Sequence, residues 1–360
     1  MHSVVALLGR PDRPTDGVAD YAKFLGEALR AQDFDLTIAR VEWMDRGWLA
    51  ALGELFRESK RWNGTWVFLQ YTALGWSRRG FPWGAIASAI VLRACGVRVG
   101  IVFHEPAALP GSGFVGRFRS GFQNWTVRML HRLSQRSVFT IPLNTVPWLS
   151  ARDEKSSFIP LGPNIPENLT KRFASVDGST TVKSVVIFCV SEFPYGEREV
   201  EDIAGATNLA ATGLNKLRVL FVGRGTSEAK AAIDSAFSGG SVEPVHYGIR
   251  AASEVGRIFS EADALLAVRG TFYLRRGSAL AGLACGLPIL GYASAQREAI
   301  LDEAGIILVP YRDQKALGLA LREVLTDQLL WQSLHEKNLA IQKRYFSWTV
   351  IAESYASFMR

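Results

Sequence analysis

The chain has 360 residues, 48% of them hydrophobic and 21% charged. That is more than one hydrophobic core usually supports, and its ordinary globular composition excludes a disordered or fibrous chain. The net charge of +7 is uneven: residues 1–180 hold 22 Lys and Arg against 15 Asp and Glu, and residues 181–360 hold 19 against 19.

At the N-terminus, the short apolar run Val4 to Leu8 has no basic segment before it and Arg10-Pro11-Asp12 after it, which predicts a first β-strand and not a signal peptide. Further apolar runs rich in Val, Ile, Leu and Phe, read as strands, follow at Asp35 to Val41, Thr65 to Gln70, Val97 to Phe103, Ser137 to Ile141 and Lys155 to Ile159. Between them Val18 to Ala31 and Trp48 to Lys60 carry apolar residues at helical spacing. The longest apolar stretch, Phe81 to Phe103, is broken by Arg93, Gly96 and Arg98, so it predicts helix, turn and strand and no transmembrane span.

Pro160 to Lys183 interrupts the rhythm with Pro160, Gly162, Pro163, Pro166 and Gly178, and reads as an interdomain linker. A second series of strands follows near Ser184 to Val190, Leu217 to Val222, Val242 to Tyr247, Ala264 to Val268, Ile289 to Gly291 and Ile306 to Val309, and Ser347 to Met359 reads as a closing amphipathic helix. Alternating strands and helices predict an α/β fold of two domains: residues 1–165, a linker 166–183, residues 184–344, and a terminal segment 345–360.

Cys95, Cys189 and Cys285 lie far apart inside apolar segments and predict buried thiols in a reducing, cytoplasmic setting. The five histidines lack the spacing of a metal site, and Asp33-Phe34-Asp35 falls where a helix turns into a strand, so no metal is expected. Gly223-Arg224-Gly225 lacks the third glycine of a dinucleotide fingerprint, since Glu228 takes its place. Trp62 to Trp83 and Phe114 to Arg136 interleave aromatics with arginines. With no nucleic-acid motif beside them, they suggest a basic surface facing an acidic partner or anionic lipid on the inner membrane, or an ordinary solvated face.

Several segments in order along nearly the whole chain resemble the family-four retaining glycosyltransferases. Thr15-Asp16-Gly17-Val18 is similar to the loop and helix after that family's first strand, where Gly17 would let the backbone approach a donor diphosphate. Phe103-His104-Glu105-Pro106 is similar to the strand end whose histidine contacts the donor sugar. Ser191 or Glu192 stands where the family has an arginine, and Arg198 where it has a phosphate-binding lysine. Leu217 to Gly225, with Gly223, and Val242 to Ile249, with Tyr247 and Ile249, resemble the segments that read the nucleotide or sugar. Arg275-Arg276-Gly277-Ser278, opening the helix Ala279 to Cys285, resembles the diphosphate loop, and Glu298 the glutamate after the next strand.

The resemblance implies a GT-B fold, two Rossmann-like domains with a cleft between them. It implies transfer of a sugar from a nucleoside diphosphate sugar to a hydroxyl of a glycan or lipid-linked acceptor, with no cofactor, no metal and no nucleic acid. The site it implies comprises His104 and Glu105 at the reacting centre, Gly17, Arg198, Arg275, Arg276, Gly277 and Ser278 on the diphosphate, and Gly223, Tyr247, Ile249 and Glu298 on the nucleotide or sugar. The sequence departs from the family at its pair of glutamates separated by seven residues, whose places fall at Tyr273 and Ala281. A GT-B protein that binds a nucleotide sugar or glycan without catalysis is the alternative.

Overall fold

The computed structural model describes residues 1–10, 16–109, 111–150, 152–166, 182–192, 195–295 and 299–360. The chain forms two compact units, Met1–Gly162 with Trp348–Arg360, and Pro163–Ser347.

The first unit is built on β1 (His2–Leu8), β2 (Phe34–Arg40), β3 (Trp66–Tyr71), β4 (Arg98–Phe103), β5 (Arg136–Phe139) and β6 (Ser156–Phe158). They pair in parallel in the order β2-β1-β3-β4-β5-β6. Side chains alternate between two cores, as a pleated strand requires. Val5, Val67, Leu69, Ile101 and Phe103 meet the helices Trp48–Ser59, Trp83–Ala94 and Gly113–Leu133. Val4, Phe68, Val102 and Val138 meet Gly17–Leu29 and the last helix, Trp348–Met359. Cover on both faces is why these strands read as unbroken apolar runs. The closing helix is fixed by polar contacts as well: the buried hydroxyls of Tyr21 and Tyr355 lie 3.0 Å apart, and Trp66 Nε1 donates to the Met359 carbonyl at 3.1 Å.

The second unit carries β7 (Lys183–Phe188), β8 (Leu217–Val222), β9 (Val242–Gly248), β10 (Ala264–Thr271), β11 (Ile289–Tyr292) and β12 (Ile306–Val309), in the order β12-β11-β10-β7-β8-β9 and all parallel. The core of one face joins Val185, Ile187, Val219 and Leu266 to Ile203 and Ala206 of the helix Tyr195–Ala210 and to Leu317 and Leu321 of Gln314–Thr326.

In the second sheet two boundaries differ from the sequence reading by two residues or more. β7 stops at Phe188, two residues before the apolar run ends, because Cys189 adopts a left-handed backbone with φ +67° and turns the chain. β10 runs on to Thr271, past the expected Val268, with an irregularity in its pairing to β11 between Ala267 and Thr271.

Candidate functional site

In the second unit the strand order reverses at β7, whose neighbours are β8 on one side and β10 on the other. Parallel sheets open a crevice outside the carboxyl ends of the strands at such a point. There lies a pocket of about 300 Å³, its open mouth included, lined among others by Phe188, Cys189, Glu199, Arg269, Arg276 and Ser278.

Its floor is set by backbone. Cys189 N–H donates to Val222 O at 2.8 Å and Val190 N–H to Arg224 O at 2.9 Å. Gly223 and Gly225 both have positive φ, and a Cβ would fall 2.7 Å from Cys189 Sγ at the first and 2.0 Å from Val190 O at the second. Only glycine lets the ends of β7 and β8 approach so closely.

Its rim is polar. The helix Gly277–Ala284 begins after Arg276 with no side chain capping it, so its first amides have no partner inside the helix and attract negative charge. Arg276 donates through Nη1 to the Arg269 carbonyl, and its guanidinium lies 5.6 Å from the centre of the Tyr273 ring. Burial, then the neighbouring charge of Arg269, pulls the Arg276 pKa below its ordinary value. Arg269 Nε reaches Ser191 Oγ at 3.4 Å, and Ser191 donates to Glu199 from its amide at 2.8 Å and its hydroxyl at 2.5 Å. Two guanidinium groups and an open helix start thus gather around one buried carboxylate, leaving the rim with excess positive charge.

The structure brings Arg276 and Ser278 into this pocket, with Gly277 exposed beside them. Arg275 is exposed and stacks its guanidinium 5.7 Å from the same Tyr273 ring. Arg198 is exposed, and the next residue, Glu199, turns inward instead, so the cation expected on this helix is replaced by an acid. Gly223 is taken up by its contact with Cys189. Tyr247 is half-buried and Ile249 exposed, and neither lines the pocket. Glu298 lies outside the described residues. Arg269 and Glu199 were missed by the sequence reading.

In the first unit, Gly17 opens its helix, but the buried Asp16 carboxylate already caps it, accepting from Val18 N–H at 3.0 Å. An acid at that place opposes an anion. His104 follows β4 and is half-buried. Gln70 Nε2 donates to Phe68 O at 3.2 Å, which turns Gln70 Oε1 to accept from His104 Nε2–H at 2.8 Å. His104 Nδ1 therefore keeps its lone pair. The Tyr21 ring stands edge-on at 5.0 Å, and desolvation lowers the His104 pKa to about 4. Glu105, the next residue, is exposed.

This predicts acid lability. His104 stays neutral in the folded chain down to about pH 4, whereas the unfolded chain takes up a proton below 6.5. Its contribution is intact above 6.5 and is lost as pH falls toward 4, about 2 kcal/mol in all after allowance for its partial exposure. In urea unfolding followed from neutral pH to pH 4, His104→Gln should lose less stability than the parent; parallel curves would refute this.

Among the described residues, no group of three His, Cys, Asp or Glu could hold a metal ion. None of the helices there is long and apolar enough to cross a membrane.

No protein-family model and no curated protein matches this sequence. Solved structures do. HepE of Anabaena, solved with UDP and glucose, is 12% identical with a TM-score of 0.64, the match covering 100% of this chain and 99% of that one. Sucrose-phosphate synthase of Thermosynechococcus elongatus is 15% identical with a TM-score of 0.66, covering 100% and 98%. A glycosyltransferase of Rickettsia africae is 13% identical with a TM-score of 0.66, covering 100% and 99%. At these identities the likeness establishes the architecture, a GT-B fold of two Rossmann-like domains.

Proposed function

We propose that the chain is a glycosyltransferase that takes a sugar from a nucleoside diphosphate sugar and places it on a hydroxyl of a glycan or lipid-linked acceptor. The observation that carries this reading is the pocket at the β7–β10 switch point, where Arg269, Arg276 and the uncapped start of Gly277–Ala284 converge. HepE of Anabaena, which shares the architecture, was solved with UDP-glucose.

The proposed reaction retains configuration. The bond from the anomeric carbon to the diphosphate oxygen breaks, the acceptor oxygen bonds on the same face, and its proton passes to the departing diphosphate. The protein's task is then to stabilise charge growing on that diphosphate, which preorganised donors do at a few kcal/mol each. Arg269, Arg276 and the amides of Gly277 and Ser278 fill that role. His104, neutral and with Nδ1 open, accepts a hydrogen bond from a sugar hydroxyl, and Glu105 stands beside it as an exposed carboxylate.

Two arginines in place of a divalent ion mean that transfer needs no metal and no cofactor. A panel of nucleoside diphosphate sugars should yield one that raises the melting temperature and is consumed with acceptor at equal rates with and without EDTA. Loss of turnover on chelation, restored by manganese, would overturn metal independence.

Tyr273 and Ala281, standing where the family has glutamates, favour a second reading in which the protein binds the donor without transferring it. Tight donor binding with no product from any acceptor would select that reading.

A further inference from the structure

The helix Gly113–Leu133 of the first unit is turned inside out along one stripe. Its inward face is the buried Gln123, Thr126, Val127, Leu130 and His131. At i, i+4 and i+11 on the outward side stand Phe114, Phe118 and Trp125, exposed by 80%, 61% and 49%, with Val115 at 70%. The stripe continues into exposed Arg128 and Arg132, and Arg117 is exposed beside it. The neighbouring loop widens this surface. Gln123 Nε2 donates to Gly80 O at 2.8 Å, and Phe81 lies 6.0 Å from Phe118 and 5.6 Å from Phe122, whose ring is 5.4 Å from Trp125. Trp83, which opens the helix after that loop, is 45% exposed.

Leaving several aromatic side chains in water is unfavourable by an amount set by their area, and contiguous apolar surface of this kind marks a docking face. The charge around it selects the occupant. The helix itself carries Arg117, Arg119, Arg128 and Arg132 and no Asp or Glu. A second copy of the chain would oppose arginine to arginine, whereas an anionic surface with an apolar interior satisfies both the rings and the cations.

We propose that this face docks on the anionic surface of a lipid bilayer, with Phe114, Val115 and Phe118 entering the headgroup boundary and Arg117, Arg128 and Arg132 lying among the lipid phosphates. The inference goes beyond glycosyl transfer and stands whether or not the chain transfers a sugar.

Flotation of the full chain with vesicles tests it. Binding to phosphatidylglycerol-containing vesicles is expected at low salt, with little to pure phosphatidylcholine, and it should weaken as salt shortens the screening length to about 10 Å at ordinary ionic strength. Phe114→Ser with Phe118→Ser should lower the bound fraction about tenfold or more. Each of Arg117→Gln, Arg128→Gln and Arg132→Gln should lower it about fivefold. All these positions are exposed, so the variants fold, which circular dichroism checks. Absence of flotation with anionic vesicles overturns the proposal, as does binding that the helix variants leave unchanged. Self-association abolished by the Phe pair, or preference for a nucleic acid over vesicles, would assign the face to another partner and equally overturn it.

Discussion

Replacing Arg269 and Arg276 together by alanine should weaken binding of the nucleoside diphosphate sugar by about 2 to 4 kcal/mol, a loss of about thirtyfold to nearly a thousandfold in affinity. The two guanidinium groups flank one pocket, and Arg276 is held there by its bond to the Arg269 carbonyl and its place over Tyr273. A charge-assisted contact to a phosphate oxygen contributes about 1.5 to 3 kcal/mol, and the total is discounted because Arg269 is exposed and its charge is screened. Arg198→Ala and Arg275→Ala serve as controls, since both residues are exposed and outside the pocket, and each should shift affinity by about 0.5 kcal/mol or less. Titration calorimetry on folded variants decides the matter. A double variant that binds as tightly as the parent, or an equal loss in the Arg198 control, would sink the assignment.

The contrast between Arg269 and Arg198 shows what could be read from the sequence. Most strands among the described residues are legible because a parallel sheet covered on both faces makes a strand a short apolar run, and Leu217–Val222 and Ile306–Val309 begin and end where that run does. The helix start is legible to within two residues, expected at Ala279 and found at Gly277, since Gly and Pro punctuate the run from Arg275 to Ile289. Arg198 against Glu199 is not. Neighbours on a helix point about 100° apart, so a small error in helix phase exchanges the inward residue for the outward one. In the sequence Arg269 directly follows the apolar run Ala264 to Val268, where a charge carries no local mark of a site. Its significance depends on β10 lying beside β7, a pairing of segments some 80 residues apart that no local pattern reports. Cys189 is hidden for a related reason: its positive φ accompanies the close approach of Gly223, which is a tertiary contact.

Trp348→Ala should cost the protein about 3 to 5 kcal/mol of stability, a large part of the 5 to 15 typical of a folded chain. Trp348 is 5% exposed at the start of the closing helix, its ring stacked on Phe24 at 5.8 Å and 5.3 Å from Tyr21. It also fills the space over Gly162, where a Cβ would come within 2.6 Å of the indole, so backbone and side chain are fitted to each other. Removing the ring leaves a cavity that a close-packed interior closes only in part, and the cavity adds to the lost transfer free energy. The effect should reach beyond the helix itself. Tyr355, two turns on, meets Tyr21 and Phe68, so a loosened helix start exposes the face of the sheet built from Val4, Phe68, Val102 and Val138. Hydrogen exchange should therefore accelerate in β1, β3 and β4 as well as in residues 348–359. Trp348→Phe, which keeps an aromatic ring against Phe24, should recover about half of the loss. A urea midpoint for Trp348→Ala within error of the parent, with unchanged exchange in those strands, would show that the closing helix contributes little to this core.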